Sequence, residues 1–524
     1  MNKFITLSTI AALSTMSIAS EVDYQTQIDD LTAQVKQLQK NEKKTKKKLS
    51  QVNAQSAKDN IKFDVDFRTS YDNVSYESVN GNKSGSANGI FSNRLWLGMG
   101  YSPVGNMIFK GQLAYNKAFG ATSFQQNGYP QRGMGFDTFD WVSSETLNDD
   151  KLRVREAYWL WTPSVGDVGL IMSVGRRPAT NGFLGNLRED DSKAKSPLAH
   201  VINMEFDGAS FGLKLDEYSP GLAFKVCYGR GLTNAAAWAN QADNALGGNI
   251  GGGNPDYSTV HYKTPTGNDN LDNVDMAGFI FVPYSDGQYD LRATWYRGFN
   301  VPGMVMTEGT VYNPGTAQQQ VAPKTMEMLN TGDMDGMALS LKVDGIGDGI
   351  SDFLDETTVF ASYAMSVSHP NKDLSRTMYG QDGNAFPPEM QHPASSSMLG
   401  SEDSETGSSY WIGAQMPNLT GGKFGLEYNH GSEHWRPFTY GEDTLAGSKM
   451  AVRGSAYEMY WSQPIVSDVF SMQIRYTYLD YDYTGSNGFF GDGGTPYEID
   501  SNEAKAMDAV DTASDLRIYL RYRY

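Results

Sequence analysis

The chain has 524 residues, of which 39% are hydrophobic and 12% aromatic, with 30 Tyr, 55 Gly and one cysteine, Cys227. Its net charge of -18 is uneven, +3 over residues 1–60 and -21 over the rest, and so acidic a chain argues against a nucleic-acid partner. A single cysteine excludes an intramolecular disulfide, and no uncharged apolar run beyond the N-terminus reaches the ~18 residues that a membrane-spanning helix needs.

Residues 1–20 read as a secretory signal peptide. Lys3 is its basic region, Phe4 to Met16 its apolar core, and Ser17-Ile18-Ala19 its cleavage box, with the cut after Ala19 or Ser20. Residues 21–58 follow a helical period. Ile28, Leu31, Val35, Leu38, Glu42, Thr45, Leu49 and Val52 alternate at spacings of three and four, a heptad seam weakened by Glu42 and Thr45. Such a seam predicts a short periplasmic coiled coil if several chains meet, and a solvated helix or spacer if they do not. Lys43 to Lys48 is read as a solvated face.

At Ile61 the period changes to two. Phe63, Val65, Phe67, Thr69 and Tyr71 alternate with Asp64, Asp66, Arg68, Ser70 and Asp72, which is a strand with one apolar face. Fifteen more candidate strands follow to the C-terminus. Short links such as Pro103–Asn106, Pro163–Gly166, Tyr284–Gly287 and Pro417–Gly422 alternate with long connections rich in Gly, Asn, Asp and Ser, Asn244–Asp256 being the extreme. Short turns alternating with long loops, and charge on one strand face only, predict an all-β fold over residues 59–524: a 16-stranded antiparallel transmembrane β-barrel. Its composition fits, because only every second strand residue must be apolar. Trp159, Trp161, Trp411, Trp461, Tyr218 and Tyr284 lie near turn ends and are expected in an aromatic girdle.

The last strand carries the sharpest alternation. Leu516, Ile518, Leu520, Tyr522 and Tyr524 oppose Arg517, Tyr519, Arg521 and Arg523, and the chain stops on the aromatic. This resembles the terminal strand by which the bacterial barrel-assembly machinery recognises its clients, with Tyr522 and Tyr524 as the signal.

The whole plan resembles Gram-negative porins. More narrowly it resembles an uncharacterised porin-like outer-membrane family of epsilon-class proteobacteria, on the segments Asn60-Ile61-Lys62-Phe63-Asp64-Val65-Asp66-Phe67-Arg68, Val174-Gly175-Arg176-Arg177-Pro178 and Asn186-Leu187-Arg188-Glu189-Asp190-Asp191. That resemblance implies the cell outer membrane and its lipid, a homotrimer, and a third long loop folded into the barrel. The narrower family implies no substrate.

The residues carry little other chemistry. His430 and His434, with Glu433 between them, do not match the zincin order. No Cys-x-x-Cys-His occurs, and no Gly-x-Ser-x-Gly nucleophile elbow is read: Gly208-Ala209-Ser210-Phe211-Gly212 has that spacing but opens a candidate strand rather than a helix. Asp344, Asp348, Asp352 and Asp355 read as a solvated acidic turn rather than a calcium loop. No catalytic set, metal or cofactor is expected, and so no enzyme. What remains is an electrostatic pore. Inward parity places Arg68, Lys214, Lys225, Arg292, Lys342, Arg475 and Arg517 in the lumen, with Asp64, Asp66 and Glu427. The third long loop, Pro178–Ala209, follows Arg176 and Arg177 and contains Arg188, Glu189, Asp190, Asp191, Lys193 and Lys195. An acidic loop opposed to a basic wall would orient ions across a constriction. The expected function is passive diffusion of ions and small hydrophilic solutes, weakly cation-preferring, with Glu189, Asp190 and Asp191 setting the balance. The alternative is a surface adhesin or antigen on a plugged barrel.

Overall fold

The computed structural model describes residues 61–85, 89–120, 147, 152–178, 181–191, 193–232, 236–239, 260–263, 273–310, 321–372, 397–439, 445–486 and 494–524. The signal peptide, the coiled coil and Asn244–Asp256 fall outside the described residues.

Sixteen long strands succeed one another: β1 (Lys62–Ser78), β2 (Ile90–Val104), β3 (Met107–Ala118), β4 (Arg153–Trp161), β5 (Val168–Pro178), β6 (Glu205–Lys214), β7 (Ala223–Leu232), β8 (Val274–Ser285), β9 (Tyr289–Thr310), β10 (Val321–Asp344), β11 (Thr358–Pro370), β12 (Thr406–Pro417), β13 (Lys423–Gly431), β14 (Gly454–Val466), β15 (Phe470–Tyr481) and β16 (Val510–Arg523). Each pairs antiparallel with the next. β16 returns to pair with β1 from Asp66↔Arg523 to Ser78↔Val510. The sheet is therefore a closed antiparallel barrel without a free edge.

Each strand expected from alternation is present. β9 and β10 run furthest beyond expectation. β8 leaves β9 at Phe299, and β11 leaves β10 at Gly332. Past those points the two continue as a ribbon of their own after register shifts around Val301. A two-stranded ribbon outside the wall has no core face to mark, so its sequence shows no clean alternation.

The two faces of the wall are inverted relative to a soluble protein. Asp66, Arg68, Arg94, Glu427, Arg475, Arg517 and Arg521 are buried, while Phe67, Phe211, Val226, Leu339, Ile412, Ile518 and Leu520 are exposed. A barrel with hydrocarbon outside requires this arrangement. The outer face also carries an aromatic row that sequence spacing did not single out. Tyr363 and Tyr410 are register partners. Tyr410, Tyr428, Tyr457 and Tyr478 then continue across β12 to β15 with successive ring centroids 5.0–6.4 Å apart. Trp411 corrects the expected girdle. It faces inward, is buried, and donates from Nε1 to Glu427 at 3.0 Å. Its neighbour Tyr410 takes the outward position.

Tyr524 lies on the closing seam, where its amide donates to the Val65 carbonyl at 2.9 Å and its carbonyl accepts from the Val65 amide at 2.8 Å. Removing it deletes two ladder bonds and the last aromatic of the outer stripe, each bond worth about 1 kcal/mol net. Deleting Tyr524, or replacing it by a charged residue, is expected to impair assembly more than Arg523→Ala. Heat-modifiable barrel in isolated outer membranes is the measurement, and equal levels for the two variants would count against a role for the seam.

Candidate functional site in the barrel lumen

The loop between β5 and β6 does not stay at the rim. It turns inward through a short parallel pair, Gly182–Phe183 with Lys195–Leu198, and a single helical turn, α1 (Gly185–Arg188). Leu184, fully buried, and Asp190 both have left-handed backbones, with φ of 79° and 52°. Non-glycine residues hold that conformation only where packing over-determines it. The tip around α1 then meets the far wall. Four consecutive loop carbonyls are taken by wall side chains. Leu187 accepts from Gln415 of β12 at 2.9 Å and Arg188 from Gln473 of β15 at 2.8 Å. Glu189 and Asp190 accept from Arg521 and Arg523 of β16 at 2.8 and 3.1 Å. Most of these carbonyls close the end of α1, where no intrahelical donor remains.

Glu189 is the centre of the contact. Its carboxylate is fully buried and lies 3.2 Å from Arg475, 3.5 Å from Arg188, 3.8 Å from Arg521, and 4.0 Å from both Arg68 and Arg94. Around it the charges continue in register. Asp66 accepts from Arg521 and lies 3.7 Å from Arg94, and Asp72 accepts from Arg517. Glu458 of β14 lies 3.5 Å from Arg188 and accepts from Lys449 and from Thr477. Lys449 comes from the β13–β14 loop and also reaches Glu427 at 2.6 Å. One buried network thus ties two loops to six wall strands.

This geometry revises the expected constriction. Arg68, Arg188, Glu189 and Arg475 are brought together, but in direct contact rather than across an opening. Glu189 is spent on guanidinium groups and faces no water. Asp190 and Asp191 sit at the rim beside the β12–β13 turn, where Asp190 pairs with Lys423 at 3.2 Å and Arg523 pairs with both. Burial raises the carboxyl of Asp191 above its ordinary value against the pull of Arg521. Arg176 pairs with Glu205 at 2.9 Å and with the exposed Asp207 at 3.2 Å, which ties it to the strand end. Arg177 and Arg292 lie on the near side of the loop. Arg177 donates to Ser173 and Ser210 and stacks over Tyr158, while Arg292 pairs with Asp290 and covers the Phe183 ring.

The loop's return arm is apolar. Leu198, Ala199, Val201, Ile202 and Met204 pack against Trp411, Trp435, Phe438 and Met450 in one buried cluster. Within it His200 bonds Ser362 of β11 through Nδ1 at 2.8 Å and Ser409 of β12 through Nε2 at 2.9 Å, with the edges of Trp411 and Trp435 against its ring. Burial pushes its pKa down to about 3. The β13–β14 loop supplies Trp435 and Phe438, and its Arg436 and Arg453 donate to carbonyls of the β15–β16 loop. On the other side the arm leaves a cavity of about 110 Å³ against β5 to β9, lined by Pro197, Ile202, Arg177, Lys225 and the glycines 175, 208, 229 and 278.

Among the described residues no cluster of three or more His, Cys, Asp or Glu is placed to hold a metal ion. Asp344, Asp348 and Asp355 are used locally, accepting from Thr358, Gln288 and the Gly349 amide.

Comparison with known proteins places a family and a set of folds. The model of a family described as "Protein of unknown function (DUF3373)" matches residues 85–524. No curated protein matches. Similar solved structures include the anion-selective porin from Comamonas acidovorans, with 9% identity, a TM-score of 0.42, and coverage of 89% of this chain and 99% of that one. OprB of Pseudomonas putida follows at 10% identity and 0.42, covering 88% and 94%. OmpF of Salmonella typhi has 10% identity and 0.41, covering 88% and 97%.

Proposed function

The chain belongs to the DUF3373 family of proteins of unknown function, and from that premise we propose that it is an outer-membrane channel for passive diffusion of ions and small hydrophilic solutes. The observation that carries this reading is the β5–β6 loop. It is held inside a closed barrel by buried ion pairs on the far wall, while on the near wall one inward row, Gly175, Gly208 and Gly229, is bare of side chains beside the cavity. On this reading the anchored loop narrows the lumen and the passage runs along the near wall. Export through the signal peptide, insertion in outer-membrane lipid by the barrel-assembly machinery through Tyr522 and Tyr524, and trimer formation aided by residues 21–58 belong to the same reading. No catalytic group is part of it.

The test is reconstitution of the folded protein in a planar bilayer. Stepwise conductance increments are expected, and purified mature protein in mild detergent should sediment as a trimer. The alternative is a plugged barrel that displays its loops, as an adhesin or antigen would. It is favoured by one observation: the β11–β12, β13–β14 and β15–β16 loops also fold inward, burying Met398, Leu399, Trp435 and Phe438. A bilayer that stays silent with folded protein would favour that alternative.

A further inference from the structure

We infer that the passage prefers small hydrophilic anions, guided by a ladder of Lys214, Lys225 and Arg177 on the inner face of β5 to β7. The inference rests on the channel reading and adds the class of solute to it. It runs against the chain's net charge of -18 and against the cation preference expected from its acidic loops.

The ladder follows from register. Across β5, β6 and β7 the inward positions form rows two residues apart, a rise of about 7 Å per row. The row nearest the β6–β7 turn is Gly169, Lys214 and Ala223. The next is Ile171, Gly212 and Lys225, and the third is Ser173, Ser210 and Cys227. Arg177 springs from the strand end but reaches back to the third row, where it donates to Ser173 at 2.5 Å and to Ser210 at 3.2 Å. The fourth row is Gly175, Gly208 and Gly229, which is bare backbone. One cation therefore stands on each of three successive rows, and none of the inward residues of these rows is a carboxylate. On β8 the positions facing these rows are Val282, Ile280, Gly278 and Met276, which add no acid.

The groups opposite reinforce the sign. The cavity between the loop and this wall includes Arg177 and Lys225, and among the described residues its lining holds no Asp or Glu. Arg292 lies within electrostatic reach of Lys225. Three carboxylates around this wall are committed elsewhere: Glu156 to Lys195 at 2.6 Å, Asp290 to Arg292 at 2.6 Å and Glu205 to Arg176 at 2.9 Å. Asp216, two residues beyond Lys214, lies exposed at the β6–β7 turn, outside the ladder. Glu189, the acid expected to favour cations, is enclosed by arginines on the other side of the loop. The cavity of about 110 Å³ is small, which suits small solutes. In a narrow, low-dielectric site the wall's charge, not the chain's total, sets the sign of the ion admitted.

The experiment is the reversal potential in a potassium chloride gradient across a planar bilayer, with folding of every variant checked by heat-modifiable mobility. Wild type is expected to give a chloride-to-potassium permeability ratio above one at low salt. The ratio should fall toward one at molar salt, where screening shortens to ~3 Å. Lys225→Gln should lower it. Lys214→Glu, at the exposed strand end, should lower it without disturbing packing, and Lys214→Glu with Lys225→Glu should bring it below one. Conductance with a wild-type ratio below one, or a ratio unmoved by these variants, would overturn the ladder and leave the channel standing. Folded wild type that passes no current would overturn the channel reading, and the ladder with it.

Discussion

Replacing Glu189 by Gln will destabilise the inner loop by about 3–5 kcal/mol, the usual cost of removing one partner from a buried charge cluster. The reason lies in what remains. Arg68, Arg94, Arg188, Arg475 and Arg521 converge on one carboxylate, and an amide neutralises none of them. Asp66 continues to hold Arg521 and Arg94, and Glu458 continues to hold Arg188. Arg68 and Arg475 lose the carboxylate that α1 brings to them. Asp190→Asn provides the internal comparison. Asp190 pairs with Lys423 and Arg523 at a site about half exposed to water, with side-chain exposures of 40%, 51% and 27%. Surface pairs of that kind contribute about 0–1 kcal/mol. In denaturant titrations followed by tryptophan emission, Glu189→Gln should lower the midpoint clearly while Asp190→Asn leaves it nearly unchanged. In the folded state Glu189→Gln should also open the loop to protease at Lys193. Equal midpoints for the two variants would mean that Glu189 does not anchor the loop.

That contrast shows where sequence reasoning reached and where it stopped. Strand period is a local property, so alternation along β6, β7, β10 and β13 located those strands and the face each presents. The inward assignments of Lys214, Lys225 and Arg475 follow from the same parity. Arg94 and Arg521 are just as legible by parity, since Arg94 alternates with the apolar Leu95 and Leu97, and Arg521 with Leu520 and Tyr522. Which inward charges meet is a different matter, because strand number and loop path bring together residues nearly three hundred apart, such as Glu189 and Arg475. Nothing local distinguishes Glu189 from Asp190, yet one is buried in arginine and the other lies at the rim. The sequence reading treats three consecutive acids as equivalent, but Glu189 caps the end of α1 and the left-handed backbone at Asp190 turns the next two away. Lys449 and Trp435 lie in a loop without periodicity, so no pattern could have placed them in the lumen. Trp411 misled for a related reason: near a strand end, tryptophan is equally suited to a lipid girdle or to a buried partner for Glu427.

His200 is expected to make the seating of the inner loop acid-sensitive. The imidazole is enclosed, bonded through both nitrogens to Ser362 and Ser409, and bounded by Trp411 and Trp435. The charged groups packed nearby are Lys449, over the Trp411 ring, and Glu427, which is shared between Trp411 and Lys449. Neither is a partner for an imidazolium, and burial therefore dominates, holding the pKa at about 3 against an ordinary 6.5. A histidine held below its unfolded value stabilises the folded state fully above pH 6.5. That stability drains away as pH falls from about 6.5 toward 3, because the released loop takes up a proton that the seated loop refuses. At pH 4 the loss is about 3 kcal/mol, at 1.36 kcal/mol per unit, enough to unseat a loop but not to open a sixteen-strand barrel. Tryptophan emission should therefore shift to longer wavelength between pH 6 and pH 4, reversibly and with heat-modifiable mobility retained, as Trp435 meets water. His200→Gln, which can still meet both hydroxyls but does not titrate, should remove the shift while leaving the neutral-pH spectrum unchanged. If the variant shifts as wild type does, the acid response lies in the carboxylates of the arginine network and His200 has no part in it.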